Sequence, residues 1–306
     1  MAARGNHSRR GSSSGATAIK LILLLCVVLV MAAAGSTLFS DGGEASPAVT
    51  PSATPEGLQE VDNLVTSPDA QTTEQPTVTP GAAETPPVQN LPRPPEGTAA
   101  GIGADIAVPA SAAVDDSYFA DAVFVGNSRT QGLQMYGGVT GTTFWTKVGL
   151  TVDSAFKDVI VPVSNQWYTV ADALRYASYN KVYIMLGMNE LGWVYESVYK
   201  DDYAKLIDVI QESHPDAVIY VQSIIPVSKW KETNDSEGTY TNANVMRLQK
   251  VLVEMCKEKG VNYVNVAEVM QDTDGCLFSE ATEDGTHLTA EYCKIWMDYL
   301  RTHTVQ

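Results

Sequence analysis

A three-layer α/β/α sandwich is the fold that residues 114–306 predict, and three observations carry it. Five short apolar runs alternate with amphipathic stretches, several runs are nearly unbroken in Val, Ile and Tyr, and polar residues of catalytic type stand just after the runs. Near-continuous apolar strands suit a parallel sheet buried on both faces, and the alternation supplies helices to cover those faces. A mostly parallel sheet of five strands follows.

In chain order, residues 122–126 predict the first strand and 128–135 the helix after it. Residues 143–148 predict the second strand, 169–178 a helix, 181–187 the third strand and 197–213 a helix. Residues 217–225 predict the fourth strand, 242–259 a helix and 261–266 the fifth strand. The last helix spans 289–302, with Thr289 as its cap and Glu291 in its first turn. The polar stretch 227–240, carrying Trp230, is long for a connection in a compact domain and is expected to border or cover a site.

The first third of the chain differs in composition. Residues 40–113 hold twelve of the fifteen prolines, ten acidic residues and one basic residue, Arg93. Such a stretch buries too little apolar surface to fold and reads as a disordered linker. Residues 1–20 form a basic tail with Arg4, Arg9, Arg10 and Lys20 and no acid. The uncharged run 21–39 would span roughly 28 Å as a helix, enough to cross a bilayer. It is expected to be a membrane anchor with the domain outside, or a signal peptide cleaved after Ala32-Ala-Ala34; either exports the domain. The net charge of −16 excludes nucleic acid as a partner, and the only membrane partner expected is the one met by the N-terminal segment. Cys256, Cys276 and Cys293 are odd in number and read as buried free thiols.

Ser128 closes Asp121-Ala-Val-Phe-Val-Gly-Asn-Ser128, where an apolar strand ends and a helix begins. That turn exposes the hydroxyl at the carboxyl edge of the sheet, beside the free N–H groups of the helix start. Gly149 follows the second strand, Asn189 the third, and Asp284 and His287 precede the last helix, so all open on one rim. Of four histidines only His287 is placed to act as a base. Asp284, three residues earlier, can hold one ring nitrogen while the other faces Ser128. The backbone N–H groups of Ser128 and Gly149 and the side-chain amide of Asn189 are candidate oxyanion donors. Trp193 and Trp230 lie near the rim and are candidates for stacking on a sugar ring. No cofactor is expected, and one histidine among carboxylates is a thin set for a metal.

The blocks Gly126-Asn-Ser128, Gly149, Gly187-Met-Asn-Glu190 and Asp284-x-x-His287 stand in the order found in the SGNH (GDSL-like) hydrolase family, which the domain resembles from about Asp121 to the last helix. The resemblance implies a flavodoxin-like sandwich, with Ser128 as nucleophile, His287 and Asp284 completing the triad, and Ser128, Gly149 and Asn189 as the oxyanion hole. Two positions depart from the family pattern: Asn127 and Glu190 stand where aspartates are usual. The expectation is an exported serine esterase that removes small O-acyl groups, acetyl foremost, from a cell-envelope or extracellular glycan. Two other readings stay open: an O-acyltransferase to a glycan hydroxyl, which would need a separate multi-span partner to bring the acyl donor, and a non-catalytic envelope-binding module on the same scaffold.

Overall fold

The computed structural model describes residues 94–305. The basic tail, the 21–39 segment and most of the linker lie outside the described residues. Among the described residues no helix is long and apolar enough to cross a membrane.

The sheet contains β1 (Ala122–Gly126), β2 (Thr143–Thr146), β5 (Lys181–Met185), β6 (Val218–Gln222) and β7 (Asn262–Val264), in the order β2-β1-β5-β6-β7. Every neighbouring pair is parallel. Six α-helices accompany it: α1 (Ser128–Tyr136), α2 (Val170–Tyr176), α3 (Glu196–Ser213), α4 (Lys229–Asn234), α5 (Asn242–Lys259) and α6 (Ala290–Thr302).

Strand residues alternate between the two faces, as the pleat requires. Val123, Val125, Val182, Ile184 and Val221 enter one core with α2, α3 and α5, through Leu174, Tyr203, Leu206, Leu248 and Leu252. Phe124, Tyr183, Met185 and Tyr220 enter the other with α1 and α6, through Leu133, Trp296 and Leu300. This is the expected three-layer sandwich, with helices wound onto both faces. The ends of α5 follow from local chemistry: Thr241 Oγ1 accepts the Asn244 N–H at 3.2 Å, and Gly260 closes the helix at φ +64, a left-handed conformation that glycine adopts without strain.

The structure corrects the sequence reading in four places. Residues 94–113 do not all belong to the linker, since Thr98, Ala99 and Ala100 are buried. The Ala100 carbonyl accepts from Asn265 Nδ2 at 2.8 Å, and the Val108 N–H donates to the Tyr263 carbonyl at 2.8 Å. This strap covers the open edge beside β7, an edge whose backbone groups otherwise need water or another chain. Second, a small antiparallel hairpin, β3 (Val161–Val163) and β4 (Gln166–Tyr168), precedes α2. Ser164 and Asn165 turn it at φ 48 and 66, the two positive values of a type I′ turn. Third, four of the predicted strands run on past the carboxyl ends of β2, β5, β6 and β7, because the backbone leaves the ladder there to form rim loops, with Gly149 at φ +79 and Gly187 at φ +132. Fourth, Thr289 holds the cap position of α6 but makes no capping bond, and its hydroxyl is buried without a partner.

Gly126 ends β1 where no side chain fits: a Cβ there would lie 2.0 Å from Thr130 Oγ1 and 2.8 Å from the Met185 carbonyl oxygen. Gly126→Ala should therefore lower the unfolding free energy by about 1–3 kcal/mol in urea titration; unchanged stability would contradict the crowding.

Candidate active site

Gly126 pairs with Thr146 on one side and Met185 on the other, so β1, β2 and β5 run out side by side. The chain then turns through Asn127, whose Oδ1 accepts the Arg129 N–H at 3.0 Å and caps α1. Ser128 is the first helical residue and is half-buried. Its N–H is one of the donors that a helix start leaves without an intrahelical acceptor.

Ser128 Oγ lies 2.9 Å from His287 Nε2, and His287 Nδ1 lies 2.5 Å from Asp284 Oδ2. These three residues, predicted from two stretches of chain, meet in one hydrogen-bonded line. With Nδ1–H facing the carboxylate, Nε2 is left as acceptor for the serine hydroxyl. The other carboxylate oxygen, Asp284 Oδ1, accepts the Thr286 and His287 N–H groups, each at 2.8 Å, and the Thr286 hydroxyl at 3.0 Å. Partial burial alone would raise the Asp284 pKa, but the side-chain bond from His287 and these loop donors outweigh it and hold the carboxyl far below its ordinary range. Gly285 allows the tight loop: its φ is +84, and a Cβ would meet Lys231 Cβ at 2.4 Å.

Gly149 sits in the loop after β2, in a turn closed by Leu150 N–H donating to the Lys147 carbonyl at 3.1 Å. A positive φ at this third turn position is what glycine supplies. Nothing lies within 4 Å of where its Cβ would stand, so its edge of the rim is open. Asn189 Nδ2 donates to the Leu150 carbonyl at 2.9 Å, which ties the loop after β5 to the Gly149 loop. An amide nitrogen has a second hydrogen, which remains for a ligand.

Two buried residues that sequence reasoning missed as supports hold these loops. Glu190 is wholly buried, and its Oε1 accepts the Val152 N–H at 2.8 Å, holding the same loop from beneath. Its Oε2 has no partner. Arg129 is also buried, and its guanidinium donates to three backbone carbonyls, those of Thr286, Ile225 and Pro226. A charged residue directly after the serine, inside an otherwise buried turn, was the one sign of it in the sequence.

Trp193 is half-buried against the main core, whereas Trp230, in α4, is 62% exposed. Trp230 borders a cavity of about 510 Å³, together with Asp272, Ser279, Thr282 and Glu283. That cavity thus shares the wall that carries Asp284. Cys256, Cys276 and Cys293 are free and buried. Among the described residues no group of three or more His, Cys, Asp or Glu side chains is placed to hold a metal ion.

The family model for GDSL-like lipases and acylhydrolases matches residues 124–294. The chain belongs to this family. It is therefore an SGNH-type serine ester hydrolase. Among solved structures it is similar to a GDSL-like lipase from Bacteroides thetaiotaomicron, with 17% identity over 65% of this chain and 91% of that one, at a TM-score of 0.46. A Streptococcus pneumonia protein named for platelet activating factor is 18% identical over 61% of this chain and 89% of its own, with a TM-score of 0.49. A carbohydrate acetylesterase from Sinorhizobium meliloti is 15% identical over 59% and 96%, with a TM-score of 0.40. Among curated proteins, none matches the chain.

Burial pushes the Glu190 carboxyl up to about 7, against the opposing Val152 N–H. The folded state holds this proton more tightly than the unfolded chain. Its stabilising effect is therefore full below the ordinary value of 4.5 and is lost as pH rises to about 7. Glu190→Gln carries no such proton, so its unfolding free energy should rise relative to wild type by up to ~3 kcal/mol across that window. Urea denaturation at several pH values checks this, and a constant difference between the two proteins would contradict it.

Proposed function

We propose that this SGNH hydrolase is an exported esterase that uses a Ser128–His287–Asp284 triad to remove small O-acyl groups, acetyl foremost, from a cell-envelope or extracellular glycan. The observation that carries the reading is the line of contacts at 2.9 Å and 2.5 Å through the two nitrogens of His287. Ser128 Oγ attacks the acyl carbonyl carbon as its proton passes to His287 Nε2. The oxyanion forms beside the N–H groups of Ser128 and Gly149 and the Asn189 amide. Collapse breaks the bond from the acyl carbon to the sugar oxygen, which takes the proton from Nε2 and leaves as a hydroxyl. Water then repeats the sequence on the acyl-enzyme and frees the acid. Asp284 stays ionised throughout and balances the charge on the imidazolium.

Two features support a glycan rather than a buried lipid chain. The side chains of His287 and Asp284 are 54% and 53% exposed, so the triad is open to a bulky hydrophilic substrate. The neighbouring cavity sets hydroxyls, two carboxylates and Lys229 around Trp230 and Leu277, a mixed lining of the kind that suits a sugar ring. The apolar run 21–39, preceded by basic residues, supports export. In this reading the run anchors the chain and the Pro-rich segment tethers the domain outside. Protease treatment of intact cells should then remove the domain and leave the N-terminal tail protected.

Ser128→Ala should abolish fluorophosphonate labelling and lower aryl acetate hydrolysis by at least ~10³-fold. Wild-type turnover in that variant would end the triad reading. Asn189→Ala should lower kcat by about 10²–10³ while labelling remains specific to Ser128; an unchanged kcat would remove Asn189 from the oxyanion hole.

A further inference from the structure

We propose that Arg129 is the positioning residue of this site: its guanidinium fastens the loop bearing Asp284 and His287 to the segment after β6, and so sets where the imidazole stands relative to Ser128 Oγ. The inference rests on the triad reading above.

Three donors of one planar group reach three carbonyls from two distant stretches of chain. Nε donates to the Thr286 carbonyl at 2.7 Å, Nη1 to the Ile225 carbonyl at 2.5 Å and Nη2 to the Pro226 carbonyl at 3.0 Å. The Thr286 carbonyl belongs to the peptide that joins Thr286 to His287, so fixing it fixes the backbone from which the base projects. Ser128 and Arg129 are adjacent in the chain. A short closed path therefore links nucleophile and base: Ser128, Arg129, the Thr286 carbonyl, His287 and back across 2.9 Å to Ser128 Oγ.

Packing alone does not explain an arginine here. The side chain is 3% exposed, and among the described residues no carboxylate pairs with it at ion-pair distance. Burying an unpaired cation costs stability that an apolar side chain of similar size would not. What the guanidinium supplies is a rigid fork that satisfies three carbonyls at once, a geometry lysine cannot reproduce. Burial brings its pKa down to about 9, which leaves it charged at neutral pH, and the groups acting on it are Asp284 and Tyr240.

The test compares wild type, Arg129→Met, Arg129→Lys, Arg129→Ala and Ser128→Ala in aryl acetate hydrolysis, fluorophosphonate labelling and thermal melting. Arg129→Met should remain folded with kcat reduced about 10²-fold and KM within about twofold, because misplacing a catalytic group by an ångström costs that much in rate. Millimolar ethylguanidinium should restore part of the kcat of Arg129→Ala, and ethylammonium should not. A folded Arg129→Met with wild-type kcat, or with its loss confined to KM, would overturn the proposal. If the Met and Ala variants do not fold, Arg129→Lys decides: reduced kcat supports the fork, and wild-type kcat overturns it. Ser128→Ala separates the two levels. Full activity in Ser128→Ala sinks the triad itself, whereas an inert Ser128→Ala beside a fully active Arg129→Met sinks only the role of Arg129.

Discussion

β1 lies in the middle of three parallel strands that run out level with one another, and the rim depends on that register. Because Gly126 pairs with both Thr146 and Met185, Ser128, Gly149 and Asn189 all emerge within a few residues of the same edge. A slip of one residue would invert every side chain of the strand between the two cores. The alternation of Val123 and Val125 with Ala122 and Phe124 opposes such a slip, since the two sets pack into different cores and only the second must place a phenyl ring. Core packing thus fixes the depth at which the hydroxyl is presented. The absent side chain at Gly126 lets the helix that carries it fold back directly.

Loops have no ladder to hold them, and here buried polar side chains take that part. Asn127 caps α1, Glu190 holds the Val152 N–H beneath the Gly149 loop, and Arg129 gathers three carbonyls behind the Asp284–His287 loop. Each binds backbone rather than another side chain, so each fixes the course of a loop. The arrangement leaves unpaired atoms: Asn127 Nδ2, Thr130 Oγ1 and Glu190 Oε2 are buried without partners. An unpartnered buried polar atom costs about 1–3 kcal/mol. Stability is therefore given up where the chemistry sits, while the aromatic stack of Phe124, Tyr183 and Tyr220 consolidates the sheet nearby.

Much of the layout was legible in the residues. Near-continuous apolar runs located all five sheet strands, since burial on both faces leaves a dense Val, Ile and Tyr signature. Ser128, Asp284 and His287 were legible because each follows a turn at a strand end or precedes a helix, and only one histidine was suitably placed. The hairpin around Ser164-Asn165 was missed because its strands have three residues each and one holds Pro162. The strap 94–113 was misread because it continues the composition of the linker, with Pro94, Pro95, Glu96, Asp105 and Pro109 set around its apolar residues. They bury only because the sheet edge at β7 and the buried Asn265 and Gln271 accept them.

The amino-acid order alone determined the class of fold, the five strands of the main sheet with five of the six α-helices, and the identity of the polar groups at the rim, because these depend on local periodicity and on residue chemistry. Tertiary structure alone decided that Ser128 Oγ meets His287 Nε2, that Glu190 and Arg129 turn inward as props, and that Trp193 leans on the core while Trp230 stays in solvent. Those outcomes depend on which distant backbone groups need partners once the layers close, and no local pattern encodes that need.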